Sequence, residues 1–197
     1  MGILTTLRDF FITSRSIENP STPLSAPDDW LLDLAGGATS SGVNVNPQTA
    51  LQYAPVWRAI SLISKDVAKL PLVVFRREGT GKEKATAHPA YRLLRYQSSA
   101  AMSAFEFKQT LTADALIWGN GYAVILRNNA GTATELIPLA PGSTSEVWKG
   151  NERSYKTVID NKEERISAED MLHIRGLYGL SIVELARESL GLGIAAE

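Results

Sequence analysis

The chain has no cysteine and only 2 histidines in 197 residues. That excludes disulfides, thiolate zinc sites and cysteine nucleophiles, and it suits a reducing compartment. No apolar run approaches the roughly 20 residues that cross a bilayer. The start lacks the cationic region, long apolar core and small-residue cleavage site of a secretion signal. Neither sign of charge dominates: 20 Lys and Arg stand against 21 Asp and Glu, a net charge of -1. A domain that grips nucleic acid by its phosphates normally carries a basic excess. The tryptophans and tyrosines are dispersed, so they form no stacking platform for single strands.

What is present is 44% apolar and 21% charged, the balance of one globular domain with irregular ends. Residues 43–72 carry the clearest pattern. Asn46 is placed to cap a helix and Pro47 sits at its first turn, where a missing N–H costs nothing. Pro55 forces a new start near Ala54. Val56, Ile60, Ile63, Val67 and Leu70 then recur at helical spacing, which predicts one buried stripe. Pro71 stops the helix, and Leu72 to Phe75 read as a strand.

Before this unit, Met1 to Ile12 has a short amphipathic pattern through Ile3, Leu4, Leu7, Phe10 and Phe11. It is read as a docking segment for a neighbouring subunit or as a frayed terminus, and the loose acylation pattern at Gly2 as coincidence. Thr13 to Gly42 is a Ser, Thr, Pro and Gly-rich linker or arm. Within it Asp28-Asp29-Trp30-Leu31-Leu32 forms a small anchor, expected to pack on its own domain.

After the unit, Arg76 to Ala87 reads as a hairpin tip and Ala90 to Tyr96 as a short helix, with Tyr91, Leu93 and Leu94 inward. Ser103 and Glu106 have capping-box spacing. They open a helix through Phe105, Phe107, Leu111, Ala115 and Trp118, which Gly119-Asn120-Gly121 ends. Strands follow at Tyr122–Arg127, Thr134–Leu139, Ser145–Trp148 and Tyr155–Ile159, with turns at Asn128–Gly131, Gly150-Asn151 and Asp160–Lys162. Ser167 to Asp170 repeats the capping spacing before Met171–Arg175. Ser181 and Glu184 open a last helix through Ile182, Leu185, Leu190, Leu192 and Ile194. That helix is expected to be still running at Glu197, so the chain reads as the front part of a longer product. The fold class is α+β, with several helices packed on antiparallel strands. The division is an N-terminal segment and arm (1–42), an α+β domain (43–180) and the start of a helix leading onward (181–197).

No catalytic, cofactor-binding or metal-binding residue emerges. His88 precedes a helix-starting proline and reads as a solvent-facing or capping residue. His173 alternates with apolar residues and reads as a satisfied core or edge histidine. Neither has a second histidine at metal-ligand spacing. Asp28-Asp29 and Glu163-Glu164 are adjacent pairs that point apart on any regular element, hence solvated faces rather than acid/base pairs. Gly119-Asn120-Gly121 follows a helix and precedes a strand, the reverse of a dinucleotide loop. Gly79-Thr80-Gly81-Lys82 leads into no apolar helix. Ser41 and Ser181 lack a nucleophile-elbow context. Lys82, Lys84, Arg92 and Arg95 make a modest basic patch, read as a solvated face.

Eight phrases in order nevertheless resemble the N-terminal half of the tailed-phage portal proteins, the head–tail connectors. They are Gly42-Val43-Asn44-Val45 before a proline, Val67–Leu72, His88–Leu94, Ser103–Phe107, Trp118–Ala123, Glu135–Leu139, His173–Gly176 and the run from Gly179 to Arg187. The resemblance covers about 41–197. It implies a non-enzymatic structural subunit of a homo-oligomeric, usually dodecameric, ring at a capsid vertex of the virion, assembled in the bacterial host cytoplasm. Double-stranded DNA passes through such a ring during packaging and ejection without sequence specificity. The implied partners are the terminase large subunit, the major capsid protein or scaffold, and head–tail adaptor proteins. No membrane and no cofactor is implied. The matching part is similar to the portal wing. The family's stem helices, clip and channel-lining loop are expected after Glu197. The alternatives are a truncated prophage remnant, a stand-alone protein-interaction module, and, against the two isolated histidines, a small hydrolase.

Overall fold

The computed structural model describes residues 39–159 and 162–197. It is an α+β fold in which helices cover one three-stranded antiparallel sheet and a second such sheet is joined to its side.

The chain first forms α1 (Pro47–Gln52) and α2 (Ala54–Lys69). The Asn46 side chain accepts from the Thr49 N–H, and the Thr49 hydroxyl bonds the Asn46 N–H in return. Tyr53 separates the helices in an extended conformation. Leu70, which precedes Pro71, is also extended, and α2 stops there. A short hairpin follows, β1 (Phe75–Glu78) with β2 (Gly81–Lys84), turning at Gly79. Next come α3 (Pro89–Arg95), the two-strand clip β3 (Gln97–Ser99) and β4 (Met102–Ser103), and α4 (Ala104–Trp118). The Ser103–Glu106 capping box starts α4, and left-handed Gly119 ends it.

The first sheet has the order β10-β5-β6, from β5 (Asn120–Arg127), β6 (Ala133–Leu139) and β10 (Met171–Arg175). Pro138 lies on its edge strand, where a missing N–H disturbs no central ladder. The second sheet has the order β7-β8-β9, from β7 (Thr144–Lys149), β8 (Glu152–Ile159) and β9 (Lys162–Ser167). The chain ends in α5 (Ile182–Leu185) and α6 (Arg187–Ala195).

Three apolar clusters hold these parts. Phe107 and Leu111 of α4 meet Leu93, Ala123 and Leu136, which fixes α4 on the first sheet. Tyr122, Tyr155 and Met171 join the two sheets. Val45, Ala50 and Val183 tie the start of the described chain to its end. In that third contact Gly191 of α6 lies against Thr39, and a Cβ there would come within 2.5 Å of the threonine hydroxyl.

Several sequence expectations need correction. Of the predicted stripe Ile60 is buried and Val56 partly so, but the rest of the face that α2 buries is Ser64 and Ala68, whose small side chains allow close approach to α4. Ile63, Val67 and Leu70 are exposed instead. The strand expected from Leu72 begins only at Phe75. Phe105 is exposed, on the face of α4 opposite to the buried Phe107 and Leu111. Lys162–Ser167, polar throughout except for Ile166, pairs as β9. A solvent-facing edge strand needs no apolar alternation. Ser167 makes no capping bond and instead donates its hydroxyl to Asp170. The last helix is broken at Ala186 and closes at Ala195 rather than running through Glu197. Its buried members are Val183 and Gly191, whereas Ile182, Leu185 and Leu192 are exposed. The readings of Met1–Ile12, of the anchor at 28–32, of the acidic pair Asp28-Asp29 and of the turn at Asp160-Asn161 lie outside the described residues.

Candidate functional site

The most concentrated polar chemistry sits where the two sheets meet. His173 on β10 stands opposite Tyr122 on β5 in the ladder, with ring centroids 4.5 Å apart. Its Nδ1 is 3.2 Å from the Tyr155 hydroxyl, and its Nε2 is 2.9 Å from the Asn120 side-chain oxygen. Since Asn120 Oδ1 only accepts, Nε2 carries the hydrogen, Nδ1 is the free acceptor, and the tyrosine donates to it. The ring is neutral and doubly satisfied. Burial, followed by the nearby Arg175, holds its pKa below the ordinary value. Burial likewise pushes both tyrosine hydroxyls up, so neither supplies a phenolate at neutral pH.

Beside the ring, Glu146 of β7 bonds Arg175 of β10 and lies 3.7 Å from Arg153 of β8. Its Oε1 is buried without a hydrogen-bond partner among the described residues. One carboxylate between two guanidiniums ties three strands from both sheets. Both nitrogens of the histidine are engaged, and this arrangement joins the two sheets.

A second joint is made of backbone. Gly119 has φ of +76°, and a Cβ there would lie 2.6 Å from the Gly179 carbonyl oxygen. A Cβ on Gly121 would lie 2.6 Å from the Leu111 carbonyl, and one on Gly176 2.7 Å from that of Ala115. Gly119 and Gly121, just after α4, and Gly176 are therefore contact surfaces, not simple helix stops. The sequence showed them as turn formers only. Their clustering in two separated runs was the one available signal of close packing.

The other singled-out residues are scattered. His88 caps α3 through its Nδ1, which accepts from the Ala90 N–H at 3.2 Å. Ser41 bonds Thr39, and Ser181 caps α5. Glu163 pairs with Lys156 at 2.7 Å, and Glu164 is its exposed neighbour on β9. Lys82 and Lys84 lie exposed on β2, and Arg92 and Arg95 are exposed on the last turn of α3. Among the described residues no three His, Asp or Glu side chains gather as for a metal ion, and no helix is long and apolar enough to cross a membrane.

The surface carries the remaining signal. Helix α2 and its C-cap leave Trp57, Ile63, Val67 and Leu70 exposed, the tryptophan by 60% and on the other side of the buried face from the rest. At the other joint, the loop Leu177–Gly179 projects Tyr178 with 89% of its surface in solvent. Tyr178 has φ of +57°, a left-handed conformation that a tyrosine adopts at a cost.

The phage portal protein family model matches residues 54–197. The chain belongs to the phage portal protein family. The portal protein of Enterobacteria phage HK97 is 34% identical over 161 residues, which are 78% of this chain and 38% of that protein. The probable portal protein of Streptomyces phage phiC31 is 26% identical over 182 residues, 82% of this chain and 38% of its own length. This chain thus spans about two fifths of either portal protein. Protein BeeE of Escherichia coli strain K12 is 25% identical over 122 residues, 61% of this chain and 76% of BeeE. Among solved structures, a chain from the neck of an empty gene transfer agent particle computed with C6 symmetry superposes with a TM-score of 0.59 at 22% identity, covering 73% of this chain and 42% of that one. A chain from the neck of the native particle computed with C12 symmetry gives 0.55 at 19% identity, covering 82% of this chain and 45% of that one. The fold is thus shared with both neck chains at identities of 22% and 19%.

Proposed function

We propose that the chain is the wing-like portion of a phage portal subunit, built into a ring at a capsid vertex. The ring is dodecameric and encloses the channel for packaging and ejecting double-stranded DNA. It docks the terminase large subunit during packaging and head–tail adaptor proteins afterwards, within a shell of the major capsid protein or scaffold. Residues 43–180 are the wing, 1–42 its arm, and 181–197 the lead into the channel helices. The subunit assembles in the host cytoplasm, ends in the virion and has no enzymatic role. The observation that carries this reading is the exposed apolar surface of α2 on a portal-family chain whose polar centre at His173 is internally satisfied. The C12 symmetry of the gene transfer agent neck supports the subunit number.

A second reading, a short module acting without the rest of a portal subunit, is favoured by the 76% coverage of BeeE. Mass photometry of the product of the complete reading frame separates them. A particle of about twelve subunits supports the ring, and a monomer at all concentrations rejects it in favour of the module.

A further inference from the structure

Two patches at different places on the chain complement each other. The first is on α2, where a shallow groove of about 450 Å³ is lined by Trp57 and Leu62 together with Arg58 and Lys65. Neither cation forms an ion pair among the described residues. At about 100° per residue, the middle of this groove lies roughly opposite Val56 on the helix. Val56 packs on the cluster of Val45, Ala50 and Val183, so the groove faces away from the cluster that seats α5.

The second patch lies around α5 and the start of α6. A cleft of about 460 Å³ is lined there by Leu180 and Leu185, with Glu184, Glu188 and Arg187. Both glutamates are exposed, whereas the Arg187 Nε is buried. Each carboxylate spends one oxygen within its own chain, Glu184 on the Ser181 N–H and Glu188 on Ser40. The Ser40 hydroxyl, and then its N–H, hold the Glu188 carboxyl below its ordinary pKa, so the group stays anionic. Just before Leu180, Leu177 and Tyr178 are the two most exposed large apolar side chains among the described residues.

Apolar surface thus comes with two cations at one place and with two carboxylates at the other. Pairing two α2 grooves would set Arg58 and Lys65 against their own copies, and like charges across an interface oppose binding. Pairing groove with cleft sets them against Glu184 and Glu188, and covers Trp57 and Leu62 with Leu180 and Leu185. A contact between two different patches runs head to tail, and it ends only when it closes a ring. We propose that the α2 groove of one copy seats on the α5–α6 cleft of the next, a contact that rests on the ring reading of the proposed function.

Charge reversal in the product of the complete reading frame, read by mass photometry, tests this. Arg58→Glu with Lys65→Glu makes one variant, and Glu184→Lys with Glu188→Lys the other. Each alone should lower the fraction in rings at least about tenfold. Mixing the two in equal amounts should bring rings back, because the patches of one variant then match those of the other. Leu185→Lys with Glu188→Lys takes the place of the second variant should loss of the Glu184 cap unfold it. Rings that survive either reversal, or a mixture of folded variants that stays dissociated, overturn this contact and leave the ring standing. Native product that forms no ring overturns the ring reading and this contact with it.

Discussion

A side chain on Gly119 would meet the carbonyl oxygen of Gly179 at 2.6 Å. Two runs of sequence 60 residues apart are thus held backbone to backbone, and the Gly176 N–H donates to the Gly119 carbonyl to close the joint. Gly119→Ala adds a left-handed penalty of about 1 kcal/mol and an overlap with main chain, which cannot rotate away. The expected loss is about 3 kcal/mol in urea unfolding. Gly142→Ala is the control, because a Cβ there meets only the Trp118 ring at ordinary contact distance, 3.8 Å.

Such joints explain where sequence reasoning stopped. Caps and proline stops were legible because each is a local bond: Asn46 with Thr49, Ser103 with Glu106, Leu70 before Pro71. Hairpins were legible from Asn128–Gly131 and Gly150 for the same reason. The face that α2 buries was not, because Ser64 and Ala68 fit against α4 by being small, and hydropathy ranks them below Val67 and Leu70. Strand β9 was missed since its pairing partner, not its own pattern, makes it a strand. The His173 centre was half legible. Its satisfied state was expected, but its partners Tyr155 and Asn120 lie 18 and 53 residues away.

His173 predicts a pH response. Its pKa is lower in the folded chain than the ordinary 6.5, so the unfolded chain takes the proton first. The stability it lends is present above pH 6.5 and is lost as pH falls through the folded value. Unfolding midpoints should therefore decline below about pH 6.5, and His173→Gln should flatten that decline. Tyr155→Phe, which removes the donor to Nδ1, should cost about 1 kcal/mol at pH 7.5.

Asp114 on α4 acts in the opposite direction. Burial raises its carboxyl from 3.8 to about 6, and the structure offers it no ion pair among the described residues. Here the folded chain takes the proton first. The resulting stability is fully present below pH 3.8 and is lost as pH rises through about 6. Ionised at pH 7.5, the group is a net cost. A two-unit shift corresponds to about 3 kcal/mol, which partial exposure screens to about 1 kcal/mol. Asp114→Asn should recover that amount at pH 7.5 and nothing at pH 4, measured by denaturant titration at both.

The exposed apolar side chains of α2 separate folding from assembly. Trp57 and Leu70 are 60% and 62% exposed, on a helix whose contact with α4 runs instead through Ile60, Ser64 and Ala68. Replacing exposed apolar side chains by lysine removes little buried surface, so the fold should keep its stability within about 0.5 kcal/mol. A partner that covers the same side chains would have to desolvate the new ammonium groups. Trp57→Lys with Leu70→Lys in the complete product should therefore leave the thermal midpoint nearly unchanged while shifting mass photometry from ring to subunit. The reverse pattern, intact rings with a lowered midpoint, would place these side chains inside the subunit, covered by its own chain.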